Sequence, residues 1–332
     1  MKKAVIAGIL ILALGLVVSG ISFALMGFSF NSFAKEKYES VTTEIGTEFT
    51  AIDIRGNTEN ICLCRIDQNF PETRTPRVVC SENSWLKHTV TVENDTLTIR
   101  SVDTRKWYDH IGINVSGKPE IVLYVPAEPY DLKVETDTGD VELRGRSAYG
   151  GIDIRTDTGD VRCEAATNGS VSVQTATGDI VWEDPEDTGP LLIAGDMALS
   201  VSTGHIRITN LNCDGKASVH VSTGKTEMER FTCVSLESTG STGRITLTEV
   251  IAGDSISIQR STGDVTFERC DAPDIRVKTD TGDVTGTLLT GKEFLTETDT
   301  GKVDVPRYAS GGTCEIKTDT GDIKISVEES MT

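Results

Sequence analysis

The sequence has few aromatic and few basic residues. Aromatic side chains make up 5% of the 332 residues, and 32 Lys and Arg stand against 51 Asp and Glu, which gives a formal net charge of −19. Nucleic-acid-binding proteins hold phosphates with clustered Lys and Arg, so this balance excludes that class of partner. The four histidines have no partner at the spacing of a nucleophilic triad. Enzymatic chemistry therefore has little support.

Charge is also missing near the N-terminus, where residues 4–34 contain no Asp, Glu, Lys or Arg. This stretch exceeds the roughly 20 helical residues that cross a hydrocarbon core. We expect residues 1–34 to form a single transmembrane anchor, with signal-peptide cleavage near Ser32-Phe33-Ala34 as the alternative. Lys2 and Lys3 favour an N-terminus inside the cell, which places the C-terminal domain outside the cytoplasm at the cell surface.

A Thr-Gly dipeptide recurs ten times at nearly constant spacing. Successive glycines are separated by 20, 19, 26, 20, 19, 20, 19, 19 and 20 residues. Ten copies at such a spacing are a strong signal of a repeat architecture. The ten glycines are Gly139, Gly159, Gly178, Gly204, Gly224, Gly243, Gly263, Gly282, Gly301 and Gly321.

Positions around each glycine alternate between apolar and polar residues, which is typical of strands with one buried face. The fifth residue before the glycine is Val, Ile or Leu except at Ser238 and Thr296, and the second residue after it is Val or Ile except at Thr226. This pattern predicts an all-β fold, a β-solenoid (β-helix) of about ten coils of 19–20 residues. Each coil is expected to stack on the next in the chain, about 4.8 Å away. A β-sandwich is the alternative.

Residues 38–130 are rich in strand patterns but lack the repeat. We interpret them as an N-terminal β cap that covers the open edge of the first coil, because an exposed sheet edge invites aggregation. The predicted solenoid domain then spans residues 131–327.

The motif Thr-Asp-Thr-Gly-Asp-Val occurs at 136–141, 156–161 and 279–284, and with a final Ile at 318–323. With these repeats the chain resembles the bacterial "putative adhesin" family of β-strand-repeat proteins, a DUF4097-like domain of unknown function, over roughly residues 45–327. The resemblance implies a surface-exposed β-solenoid behind a short membrane segment, with no established catalytic motif. The central coils depart from this motif, because Ser-Thr-Gly is followed there by His205, Lys225 or Arg244.

The acidic turns form a candidate calcium site. Asp137 and Asp140, one coil away from Asp157 and Asp160, offer carboxylate oxygens to Ca²⁺. The alternative is that the glycine takes a positive φ and the aspartate caps the turn through its own backbone. The missing Gly-Gly signature of calcium-binding solenoids favours the turn. No other cofactor is expected.

Eight cysteines in a chain expected outside the cytoplasm raise the question of disulfides. Cys213 and Cys233 each lie nine residues after their turn glycine, so both should point inward from adjacent coils. A disulfide between them and a buried pair of free thiols both remain open. Cys62, Cys64 and Cys80 are a weak candidate metal set, since no histidine lies at ligand spacing.

The predicted function is surface binding or envelope scaffolding without catalysis. An aromatic cluster at Trp107, Tyr108 and His110 is a candidate contact with a partner, and the alternative, at least as well supported, is that Trp107 plugs the first coil. The expected partner is a cell-envelope or extracellular protein or a glycan. Two other functions stay open, a carbohydrate-active β-helix enzyme and a Ca²⁺-stabilised structural rod.

Overall fold

The fold is all-β. The computed structural model describes residues 37–66, 75–104, 118–146, 148–184, 189–307 and 311–328. These ranges contain 28 strands and no helix that is long and apolar enough to cross a membrane. The predicted anchor at residues 1–34 lies outside the described residues.

The strands, in chain order, are β1 (Glu39–Glu44), β2 (Ala51–Arg55), β3 (Asn60–Arg65), β4 (Arg77–Glu82), β5 (Leu86–Glu93), β6 (Thr96–Asp103), β7 (Glu120–Val125), β8 (Asp131–Thr138), β9 (Val141–Arg144), β10 (Ala148–Tyr149), β11 (Ile152–Thr158), β12 (Val161–Cys163), β13 (Ala166–Thr167), β14 (Val171–Thr177), β15 (Ile180–Glu183), β16 (Leu191–Ile193), β17 (Met197–Thr203), β18 (Ile206–Cys213), β19 (Lys216–Thr223), β20 (Thr226–Thr242), β21 (Ile245–Thr262), β22 (Val265–Cys270), β23 (Asp274–Thr281), β24 (Val284–Leu288), β25 (Lys292–Thr300), β26 (Val303–Asp304), β27 (Gly312–Thr320) and β28 (Ile323–Val327).

Each coil of the solenoid has a long first face, a second face after the Thr-Gly turn, and a short third face. Strand β11 forms the first face of one coil, β12 the second and β13 the third. Equivalent strands of neighbouring coils pair in parallel and in register, so that Ile152 of β11 lies between Leu132 of β8 and Val171 of β14. The predicted β-solenoid architecture is confirmed in this form.

The core is a narrow column of inward-pointing side chains that runs along the stack of coils. Val134 and Ile154 on the first face, and Val141 and Val161 on the second, are all fully buried. The residues between them on each strand point outward and are partly or fully exposed. The period-2 pattern of the sequence therefore becomes one apolar column per strand position.

The coils do not stack in chain order at the C-terminal end. Strands β27 and β28 pair with β23 and β24, and the earlier strands β25 and β26 lie outside them. The last coil of the chain is thus inserted one place inside the stack, and the expected chain order is wrong here. Its inward residues Cys314, Ile316 and Ile323 are apolar and fully buried, which requires a neighbouring coil on both sides.

The N-terminal end shows the same inversion. Strands β2 and β3 lie between the later pair β6 and β7 on one side and β8 and β9 on the other, all in parallel. Strand β5 covers the outer edge of β6, and β4 covers that of β7, both in antiparallel pairing. Strand β1 adds to β4. The parallel stack therefore continues across residue 131 into the region interpreted as a cap.

Candidate functional site

The ten Thr-Gly turns form one column at the corner between the first and second faces, which we call the turn ladder. A side chain at Gly159 would clash with the carbonyl oxygen of Gly139, and the same close approach recurs at every level. From Gly159 to Gly282, and at Gly321, the turn glycines have φ between 137° and 157°. Glycine alone meets both conditions without strain. The ladder ends in the order Gly282, Gly321, Gly301.

Where it is aspartate or histidine, the residue after the turn glycine binds the next level of the ladder. Asp140 Oδ1 accepts a hydrogen bond from the backbone N–H of Asp160 at 3.0 Å, and Asp160 Oδ1 accepts one from Asp179 at 2.9 Å. The sequence predicted that aspartate would cap its own turn, whereas its bond reaches the neighbouring coil. His205 takes the same role, because its Nδ1 accepts the N–H of Lys225 at 2.9 Å.

Three adjacent levels of the ladder lack both of the usual carboxylates. We call this the central band, defined by residues 202–205, 222–225 and 241–244. In these levels serine stands two residues before the glycine, and His205, Lys225 or Arg244 follows it, all three exposed. Arg244 lies 3.3 Å from Asp264 of the next level. That pair is exposed, so it contributes little to stability.

The first face beside the central band presents small polar side chains. His220 joins Thr239 Oγ1 at 2.9 Å and Ser222 Oγ at 3.0 Å. A depression of about 270 Å³ is lined by Ser200, His220, Glu237 and Thr239, among others. Hydroxyl, imidazole and carboxylate groups there can exchange hydrogen bonds with a polar ligand.

A buried arginine under the central band was not predicted from the sequence. Arg260 is 2% exposed, and its Nη1 donates to the carbonyl oxygens of Val221 at 2.7 Å and Thr239 at 3.1 Å. Its Nη2 donates to Thr226 Oγ1 at 2.9 Å, which explains why Thr226 interrupts an apolar column. Burial lowers the pKa of Arg260 to about 10. Gly240 leaves the room that the guanidinium occupies.

The residues predicted for metal or partner binding lie in different surroundings. Asp137 and Asp157 are exposed on the outer surface. Across the ranges that the structure describes, no three His, Cys, Asp or Glu side chains form a group that could hold a metal ion. The candidate contact at Trp107, Tyr108 and His110 lies outside those ranges and stays a prediction.

The cysteines divide into an inward group and an outward pair. Six of the eight are buried, and Cys62 and Cys64 are partly exposed. Cys213 and Cys233 are buried in adjacent coils, where a disulfide stays a prediction. Cys80 is buried in the core, whereas Cys62 and Cys64 on β3 point outward. The three residues suggested as a metal set are therefore divided between opposite faces of the sheet.

The chain matches the Toastrack DUF4097 family over residues 50–224 and again over residues 195–332. A search of curated proteins gave no match. A solved structure named a putative adhesin, from Parabacteroides merdae, is similar at 13% identity with a TM-score of 0.50, covering 77% of this chain and 98% of that one.

Two further solved structures are similar at comparable identity. A putative lipid binding protein from Parabacteroides distasonis is 14% identical with a TM-score of 0.48, covering 88% of this chain and 98% of that one. A putative adhesin from Bacteroides fragilis is 14% identical with a TM-score of 0.42, covering 87% and 97%. At such identities the likeness concerns the fold, and function has to be argued from the site.

Proposed function

The chain belongs to the Toastrack DUF4097 family, and we propose that it is an extracytoplasmic binding or envelope-scaffold protein, held at the membrane by residues 1–34. The central band is the main support for this proposal. It is the one stretch of the turn ladder where the acidic side chains give way to His205, Lys225 and Arg244 in three successive coils. The name of the similar Parabacteroides merdae structure, a putative adhesin, agrees with a surface role.

The fold itself does not need this change of charge. Aspartate after the glycine satisfies the backbone N–H of the next level, as Asp140 and Asp264 do. Lys225 and Arg244 are exposed cations instead, and Arg244 also pairs with Asp264 at 3.3 Å. An exposed cation contributes to a charge-assisted contact with an anionic group. The acidic levels on both sides repel ligands that are anionic along their whole length. The band therefore fits a partner with a local anionic group and neutral or basic flanks.

The small polar first face beside the band extends the contact surface. Ser200, His220 and Thr239 offer hydrogen-bonding groups in the depression on that face. A cell-envelope or extracellular protein, or a glycan with an acidic substituent, has groups that match both surfaces. Catalysis is not part of the proposal, because the band contains hydrogen-bonding and cationic groups without a paired acid and base.

The test uses the full chain purified in detergent, offered to solubilised envelope fractions in one arm and to a glycan array in the other. The triple variant His205→Asp, Lys225→Asp, Arg244→Asp gives the band the aspartate that follows the turn glycine in most other levels. The matched control is Lys302→Asp, since Lys302 also follows a turn glycine and its N–H is held by Asp322 at 2.8 Å.

We expect wild type and Lys302→Asp to capture the same ligand and the triple variant to lose it. Thermal melts of all three proteins check that the fold is retained. Equal capture by the triple variant, or no capture by wild type in either arm, would contradict the proposed function.

A further inference from the structure

Two thiols lie side by side on the outer surface of β3. Cys62 and Cys64 are separated by one residue, so both side chains point to the same face of the strand. Their Sγ atoms are 3.4 Å apart, and both side chains are partly exposed. They line a surface depression of about 420 Å³ together with Tyr124, Arg144 and Arg162. The depression gives a reactant access to the sulfur atoms.

The neighbouring strands give the two thiols different surroundings. In the parallel register Cys64 lies opposite Arg144 of β9, while Cys62 lies opposite Glu142. A guanidinium favours a thiolate and a carboxylate disfavours it. The hydrogen bond from Cys62, aided by the charge of Arg144, lowers the pKa of Cys64 to about 7, and the same pairing raises the pKa of Cys62.

The other six cysteines are inward and buried. Burial raises the pKa of Cys80, Cys233 and Cys314 to about 12 and that of Cys270 to about 11. A thiol of this kind is a poor nucleophile at neutral pH. The molecule therefore separates one outward reactive pair from six inert thiols that serve as internal controls.

We propose that Cys62 and Cys64 form a thiol–disulfide exchange site, with Cys64 as the attacking thiolate and Cys62 as the resolving thiol. The Cys64 thiolate attacks one sulfur of a small or peptide disulfide, forms a mixed disulfide and releases the first thiolate, which takes a proton from water. Cys62 then loses its proton to water and attacks the Cys64 sulfur. The second thiolate leaves and is protonated. Two cysteine thiols are oxidised, and one disulfide is reduced to two thiols.

The disulfide formed on β3 is expected to be strained and easily reduced. Alternate residues of an extended strand have Cα atoms roughly 6.6 Å apart, near the upper limit of about 6.8 Å for disulfides. Strand β3 is paired on both sides, with β7 and β9, so its backbone has little freedom to shorten this distance. Strained disulfides have more oxidising potentials, so the pair should pass its oxidation on readily.

The experiment treats the full chain in detergent with oxidised glutathione at pH 7.5 and maps the modified cysteines by mass spectrometry. In Cys62→Ser, whose hydroxyl still donates a hydrogen bond, we expect one glutathione trapped on Cys64. In Cys64→Ser we expect modification of Cys62 to be at least about tenfold slower, because burial keeps the pKa of the remaining thiol raised. In wild type, the mass of the peptide that contains both cysteines should fall by two hydrogen atoms, because a Cys62–Cys64 disulfide has formed.

A second readout does not depend on cysteine variants. The alkylation rate of Cys64 in native wild type should rise with a midpoint near pH 7. The variant Arg144→Gln should move that midpoint upward. The proposal would be overturned if Cys62→Ser trapped no glutathione adduct on Cys64. It would also be overturned if Cys62 and Cys64 were modified at equal rates, or if the midpoint of Cys64 alkylation lay near pH 9.

Discussion

The two ends of the solenoid and its central coils use the same repeat for different purposes. At both ends the coil order is inverted. The coil of β2 and β3 and the coil of β27 and β28 each lie one place inside the stack, and another coil lies outside them. In the central coils the order is regular, but the turn ladder loses its aspartates and the core accommodates Arg260. The difference suggests that the ends supply stability and leave the centre free to vary its surface.

The ends also differ from each other. At the N-terminal end, β4 and β5 cover the outermost coil in antiparallel pairing. At the C-terminal end, no strand within the described residues pairs with the outer edge of β25 or β26. Val303 is 45% exposed there, although the equivalent Val284 is fully buried. The stability of the C-terminal end therefore depends on the inserted coil of β27 and β28.

The largest expected effect comes from removing that inserted coil. A chain that ends at Val305 lacks β27 and β28, and with them the buried Ile316, Ile323 and Ile325. Since each buried side chain of this size contributes roughly 2 kcal/mol, we expect a loss of at least about 6 kcal/mol. Urea unfolding measures this loss through the transition midpoint.

An internal deletion is the matched control for this truncation. Removing residues 290–310 takes away the outermost coil and joins the coil of β23 and β24 directly to the coil of β27 and β28, its neighbour in the stack. This variant should keep a cooperative transition and lose less stability than the truncation. If the truncation is the milder of the two changes, the inverted order of the C-terminal coils is wrong.

A second prediction concerns a buried carboxylate at the N-terminal end. Glu59 accepts hydrogen bonds from Ser101 Oγ at 2.6 Å and from the backbone N–H groups of Asn57 and Thr58. Its Oε1 also lies 3.3 Å from His88 Nε2. Burial opposes its ionisation, but these contacts outweigh burial and lower the pKa of Glu59 to about 2.

The depressed pKa of Glu59 gives a defined pH window. The ionised form stabilises the fold above the unfolded pKa of about 4.5, and this stability is lost as the pH falls toward 2. The loss is about 3 kcal/mol for a shift of this size. Glu59→Gln should be less stable at neutral pH and show a flatter acid-unfolding profile, whereas the exposed Glu237→Gln should match wild type. Parallel profiles for Glu59→Gln and wild type would contradict this assignment.

The third prediction compares the core of the central coils with their surface. A methyl group at Gly240 would clash with Arg260 Nη1 and with the carbonyl oxygen of Val221. Gly240→Ala should therefore cost about 2 kcal/mol in the free energy of unfolding. The neighbouring exposed Ser241→Ala should change it by less than about 0.5 kcal/mol. Equal midpoints for the two variants in urea would show that Gly240 does not make room for Arg260.

The repeat allowed the fold to be predicted, but the order of its coils could not be. The apolar columns at Val134, Ile154 and their equivalents indicate strands, turns and a buried face directly. A constant period gives every coil a similar shape, so it does not specify which coil lies next to which. Thr296, one of two polar residues in this column, was a partial signal, because its coil tolerates a partly exposed end position, whereas Ser238 is fully buried in a central coil.

The candidate sites were predicted unevenly. The change of charge at His205, Lys225 and Arg244 is visible in the sequence. The bond from each aspartate to the next coil requires coordinates, because it joins residues about one period apart. The separation of Cys80 from Cys62 and Cys64 depends on which face each strand turns inward, which the irregular spacing of residues 38–130 did not reveal.

A small change in stability should accompany a large change in binding when the central band is altered. Replacing His205, Lys225 and Arg244 by aspartate alters only exposed positions, so the unfolding free energy should change by less than about 1 kcal/mol. The most direct test of the account is the dissociation constant of the ligand that wild type captures, measured for wild type, the triple variant and Lys302→Asp. Since a hydrogen bond to a charged group contributes about 1.5–3 kcal/mol, the triple variant should bind at least about tenfold more weakly and Lys302→Asp as wild type does. Equal dissociation constants for wild type and the triple variant would contradict the assignment of binding to the central band.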